Sequence, residues 1–167
     1  MTTLRLTLFL LSLGILAQAP WDIAKKAAGN AATKKLESEI NTRLLEEGRK
    51  NQCNFKTDSD QFEKSCDKKL RNVATALIDA KKRLNTAGVQ NFKFEVSGHT
   101  DSAGNEPHNV DLSKKRAAVI VKELIAKGIP EKEIESVGKG SSERLVKPDD
   151  TPAKRAKNRR YEVRVRL

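Results

Sequence analysis

The most constraining stretch is an alternation of period two that gives way to a polar, glycine-containing loop and then to a period of 3.6. Phe92-Lys93-Phe94-Glu95-Val96 places its apolar side chains on one face of a strand, and Ser97-Gly98-His99-Thr100-Asp101-Ser102-Ala103-Gly104 leads out of it into a loop. A helix is expected over 113–127, capped by Asp111 or Ser113, burying Ala117, Ile120, Val121 and Leu124 and stopping at Gly128. Asp101 therefore falls where a strand ends. Arg116, fifteen positions on, falls in the first turn of the helix. A loop that folds back brings one anion and one cation to the same mouth.

The remaining segments supply the layers around this unit. Residues 21–50 are rich in Ala, Lys, Glu and Leu, with no proline after Pro20, which favours helix. Leu36, Ile40 and Leu44 form a narrow i, i+4, i+8 stripe, which fits packing on the domain, pairing with another copy or a free spacer. A short strand is expected over 52–56, then a polar turn at 57–60. A helix over 65–85 presents Leu70, Val73, Ala74, Leu77, Ile78 and Leu84 to a core and ends before Gly88. Strands follow at 91–98 and 134–138, then a loop over 140–157 with two prolines and two aspartates and a helical turn at 153–157. The last strand, 160–167, alternates Tyr161, Val163, Val165 and Leu167 against Glu162, Arg164 and Arg166. The order βαβαβ-β predicts an α+β sandwich, two helices on one face of a mixed sheet.

A chain of 167 residues allows one ordinary domain and an extension. Aromatic residues make up only 4%, so the core is aliphatic. A net charge of +11 points to an anionic partner without choosing one. Residues 1–19 read as a secretory signal: Arg5, an apolar stretch over 6–16, and Ala17-Gln18-Ala19 as a small-x-small site. Pro20, just past that site, fits an extended protease cleft poorly and keeps an uncleaved N-terminal anchor as the alternative. Export leaves the only two cysteines, Cys53 and Cys66, free to pair, and they lack the spacing of a redox or metal motif.

Several separated motifs agree with one family in order and spacing: Gly98-His99-Thr100-Asp101, Gly104, Asn109, Leu112-Ser113-x-x-Arg116-Ala117, and Asn158-Arg159-Arg160. From about Cys53 to Leu167 the chain resembles the OmpA-like peptidoglycan-binding domain, with Lys154 where the family commonly has Gly and Tyr161 where Val is usual. The resemblance implies the same sandwich, with a signal peptide at 1–19, a helical extension at 20–51 and the domain at 52–167. It also implies non-covalent binding of the peptide stem of peptidoglycan in the periplasm, by way of its diaminopimelate. Carried over by motif position, Asp101 would accept from the ligand ammonium and Arg116 would hold its carboxylate with two N–H donors. Thr100 and Asn109 would orient the loop or add neutral hydrogen bonds, and Asn158 and Arg159 would form the neighbouring wall. A planar guanidinium matches a carboxylate fork, and a zwitterionic end needs one partner of each sign.

Other chemistries have less to stand on. There is no G-x-S-x-G or HExxH motif and no second acid opposite Asp101, so no enzyme is expected. His99 and His108 with one aspartate do not make a metal pattern, and no cofactor is implied. Lys154, Arg155, Lys157, Arg159 and Arg160 form a basic cluster, but no aromatics are interleaved for base stacking, which argues against nucleic acid. Without the motif context, Asp101 and Arg116 read as a structural ion pair. The competing functional reading is an envelope scaffold that binds proteins and little or no cell wall. In either case residues 21–50 are candidates for self-association or for an envelope protein partner.

Overall fold

The computed structural model describes residues 20–167, with side chains from Gly29 onward. The expected secretory signal at 1–19 lies outside the described residues. The chain divides into Met1–Ala32 and a larger compact unit, Thr33–Leu167. Described residues of the first unit are helical from Pro20. No helix among the described residues is long and apolar enough to cross a membrane.

Helix α1 spans Pro20–Lys50, and from Thr33 onward it is part of the larger unit. Here Ile40 and Leu44 are fully buried and Leu36 packs against the core. The stripe that could have served self-association is therefore occupied by the domain's own interior, beside Ala76 and Ala80 of the next helix. The compact unit also begins well before the expected boundary at residue 52. Helix α2, Asp67–Thr86, buries Leu70, Val73, Ala74, Leu77 and Leu84 as its periodicity predicts. Ile78, expected in that core, is half exposed because the buried arc of α2 excludes it.

Strand β1 (Lys93–His99) is the centre of a sheet ordered β2-β1-β3, in which β2 (Ile134–Gly138) is parallel to it and β3 (Arg160–Arg166) antiparallel. Phe94 and Val96 are buried with Val163, Val165 and Tyr161 under the helices. Helix α3 spans Glu106–Ala126 and helix α4 spans Pro152–Asn158. This is the expected α+β sandwich with its preceding helix, but with three strands. Residues 52–56 make only an isolated bridge, Phe55 with Phe62.

The missing strand has a physical replacement. Side-chain amides meet the outer edge of β3: Asn41 donates to the Val165 carbonyl at 3.1 Å and accepts from its N–H at 2.7 Å, and Gln52 does the same for Tyr161 at 2.9 and 3.1 Å. With those backbone groups satisfied, residues 52–56 need not extend the ladder. Tyr161, the departure from the family's Val, donates its hydroxyl to the Asn51 carbonyl at 2.7 Å and locks the same corner.

Helix α3 begins seven residues before the expected start at Ser113. Asn105 caps it by accepting from the His108 N–H at 3.0 Å, and Pro107 lies in its first turn. Its backbone runs very close to the sheet. A Cβ on Gly98 would fall 2.1 Å from the Ser113 carbonyl oxygen, and one on Gly138, its register partner, 2.3 Å from that of Val110. Only glycine permits this approach. Ser113 is therefore an interior residue of α3 whose hydroxyl accepts from the Gly140 N–H at 3.0 Å, tying the β2 exit to the helix.

Candidate ligand site at the end of strand β1

Residues after β1 turn sharply because Asp101 accepts from the Ala103 N–H at 3.0 Å and Asn109 donates to the Ala103 carbonyl at 2.9 Å. Thr100 donates its N–H to the Gly140 carbonyl at 2.8 Å, while its buried hydroxyl has no hydrogen-bond partner. Thr100, Asp101 and Asn109 are all buried, so this loop is held rigidly at the strand end.

The other oxygen of Asp101 accepts from Arg159, not Arg116, at 2.7 Å. Arg159 follows α4 and remains nearly half exposed. Arg116 lies midway along α3 and is only 9% exposed, so the expected place in the first turn of the helix is corrected. The loop over 51–66 covers it. Its Nε donates to the Ser59 carbonyl at 2.8 Å and its Nη2 to the Lys56 carbonyl at 3.1 Å, and the guanidinium stacks on Phe55 at 5.2 Å from the ring centroid. Among the described residues its Nη1 makes no hydrogen bond, leaving the far end of the fork open. Burial most of all, and then the charge of Arg159, push the Arg116 pKa down, while Asp58, Asp101 and Asp60 push it up. Two guanidiniums thus stand near one carboxylate.

A disulfide joins Cys53 and Cys66, as expected, and closes the loop that carries both carbonyl acceptors of Arg116. Inside it Lys56 N–H donates to Gln61 O at 2.9 Å and Glu63 N–H to Asn54 O at 3.0 Å. On the other side, Asn158 is fully buried, donating to Val146 O and accepting from Val146 N–H, both at 3.0 Å. It is a clamp for the loop before α4 and exposes no surface to a ligand. Sequence reasoning missed Asp149, a buried carboxylate in that loop bonded to Ser102, Asn158 and Arg144. The two aspartates before Thr151-Pro152, which caps α4, were its signal.

His99 is buried under this second loop, 3.2 Å from the Ser97 hydroxyl. Burial and then the charge of Arg160 push its pKa down to about 4, so it is neutral at neutral pH. His108 sits apart, 2.6 Å from Asp58. Among the described residues no group of three metal-binding side chains exists. A groove of about 280 Å³ between α1 and α2 is lined by Arg43, Glu47, Asn72 and Asp79 and lies away from the strand end.

An α+β domain with a charged cluster at the end of its central strand is the class this geometry defines. The OmpA family model matches residues 54–159, and the chain belongs to the OmpA family. Over 71 residues it is 40% identical to the peptidoglycan-binding protein ArfA of Mycobacterium tuberculosis, a match covering 42% of this chain and 22% of that one. The matched stretch thus spans about a fifth of that relative's length. The fold resembles the peptidoglycan-associated lipoprotein from Burkholderia pseudomallei, with TM-score 0.57 and 22% identity over 71% of this chain and 92% of that one. It also resembles the C-terminal domain of Helicobacter pylori MotB, with TM-score 0.56 and 22% identity over 70% and 84%.

Proposed function

We propose that this chain is a non-covalent peptidoglycan-binding module of the cell envelope that holds the diaminopimelate of a stem peptide at the end of β1. The reading is supported by family membership and by the name of the mycobacterial relative. The observation that carries it is the arrangement of charges. Arg116 is tethered through Nε and Nη2, which leaves Nη1 for a carboxylate, and Arg159 adds a second positive charge beside it. Asp101 has two hydrogen bonds and room for about two more at its carboxylate, enough for an ammonium. Thr100, through its unpartnered hydroxyl, is the neutral contact in this reading, and Asn109 and Asn158 shape the walls. Periplasmic location and export through residues 1–19 belong to the same proposal.

The scaffold alternative gains from one fact: Asp101 already has a cationic partner in Arg159. A pull-down on purified sacculi with wild type and Asp101→Asn separates the two. Peptidoglycan binding predicts wild type in the pellet and at least a tenfold loss of retention in the variant. Wild type left in the supernatant would sink this reading and favour the scaffold.

A further inference from the structure

The carboxylate of Asp149 lies in none of the motifs that mark the family resemblance, yet it is buried and fully used. Its Oδ2 accepts from the Ser102 N–H and from Asn158 Nδ2, both at 2.9 Å. Its Oδ1 accepts from the Ser102 hydroxyl at 2.5 Å and from Arg144 Nη1 at 3.3 Å. Its backbone carbonyl accepts from Arg155 Nη1 at 3.3 Å. Every neighbour donates in this arrangement, and the roughly four acceptor positions that a carboxylate offers are all taken. The Ser102 hydroxyl, followed by Asn158, holds the Asp149 carboxyl well below the usual carboxylate range although burial opposes this.

The placement of those donors gives the carboxylate its consequence. Ser102 is the residue after Asp101, and Asn158 is the residue before Arg159. One buried side chain therefore grips the residue next to each member of the Asp101–Arg159 pair, Ser102 by its N–H and hydroxyl and Asn158 by its side-chain amide. Beyond the last pair of the β1–β3 ladder, His99 with Arg160, it joins the segment after β1 to the end of α4 beside the Asp101–Arg159 pair.

We propose that Asp149 is a positioning residue of the ligand site, which sets the spacing of Asp101 and Arg159 and through it the affinity for the zwitterionic ligand end. This rests on the binding reading above. In Asp149→Asn the carboxylate charge goes and one oxygen becomes an NH₂ group. At the Oδ2 position it faces the Ser102 N–H and Asn158 Nδ2 donors, and at the Oδ1 position it faces Arg144 and obliges the Ser102 hydroxyl to turn and accept. Either way at least one donor loses its acceptor and the grip on the two loops weakens. The pair would lose its geometry while the Arg116 side of the site, held by other carbonyls, would keep its own.

Two measurements on the full chain test this. Calorimetry with a soluble stem tripeptide ending in diaminopimelate should show at least a tenfold weaker Kd for Asp149→Asn, and about threefold for Ser102→Ala, which removes one donor and leaves the Ser102 N–H bond. Nitrogen NMR of the guanidinium groups should show the restrained Arg159 signal lost in Asp149→Asn and the Arg116 signal retained. Wild-type affinity with an intact Arg159 signal would overturn the proposal, and so would loss of both signals, which would make Asp149 a residue of the fold at large. If Asp149→Asn does not fold, Ser102→Ala with unchanged affinity and an unchanged Arg159 signal overturns it. A wild type that binds no tripeptide, with Arg159 still released in the variant, refutes the binding reading and leaves the positioning role standing.

Discussion

Two loops flank the end of β1, and they are closed by different means. The loop over residues 51–66 is closed covalently by Cys53–Cys66 and presents backbone carbonyls of Lys56 and Ser59 to Arg116. The loop over residues 139–151 has no covalent closure and is held by side chains, with Asp149 and Asn158 at its centre and Arg159 at its edge. Backbone carbonyls do not titrate, so the first loop answers to redox state and chain connectivity. The second loop lies over buried ionisable groups, His99 and the Arg160–Glu162 pair, and answers to pH. The ligand end of the proposal would thus meet one arginine hydrogen-bonded to a covalently closed loop and one paired with Asp101 beside a loop closed by side-chain hydrogen bonds.

The largest effect is expected from the buried arginine. Arg116→Ala should destabilise the domain by roughly 4 kcal/mol, because a buried guanidinium is removed, two part-buried carbonyls lose their charged donor and Phe55 loses its stacking partner. It is thus no clean binding mutant, and Arg116→Lys should recover only part of the loss, as a point charge cannot serve both carbonyls. Urea titrations would check this, and a variant as stable as wild type would show that the first loop does not need its arginine. Next, replacing both cysteines by serine should cost about 3 kcal/mol for a loop with a sequence separation of 13, on the chain-entropy account. Hydrogen exchange should rise over residues 54–63 and leave 139–151 as in wild type. Exchange rising equally in both loops would abolish the distinction between them.

The pH effect is smaller and belongs to the second loop. His99 is neutral in the folded state down to about pH 4, whereas the unfolded chain takes up its proton near 6.5. Between those values the unfolded state binds more protons, so stability falls as pH drops and levels off below the folded value. The loss between pH 7.5 and 5 should be about 2 kcal/mol, and His99→Gln should flatten the profile over that window. Glu162, held below its usual range, adds its own loss only at lower pH, as it becomes protonated. An unchanged profile in the variant would assign the pH response elsewhere. The smallest effect is at Lys154, whose exposed pair with Asp150 at 2.7 Å should contribute under about 0.5 kcal/mol. Lys154→Gly should therefore shift stability chiefly through helix propensity in α4, by about 1 kcal/mol or less at this end position.

Much of this molecule is legible in its sequence because the signals are local. The period of Leu70, Val73, Leu77 and Leu84 marks the buried face of α2, and the alternation through Phe94 and Val96 marks the central strand and the place where Asp101 leaves it. The cysteine pair is legible because the chain has only two cysteines, and Asn105-Glu106-Pro107 contains a helix start that a reading centred on Ser113 passes over. The candidate site residues do collect around one strand end, but their partners could not be read locally. Whether Asp101 meets Arg116 or Arg159 depends on the carbonyls of Lys56 and Ser59, distant in sequence, that engage Arg116, and on where the end of α4 brings Arg159. Local periodicity and capping chemistry determined which residues are helix, strand and core. The tertiary structure alone decided that side-chain amides of Asn41 and Gln52 stand where an edge strand was expected, that Leu36, Ile40 and Leu44 face the domain's own interior, and that Asp149 lies between two loops, because each depends on which unsatisfied backbone or buried charge lies opposite across a long separation in sequence.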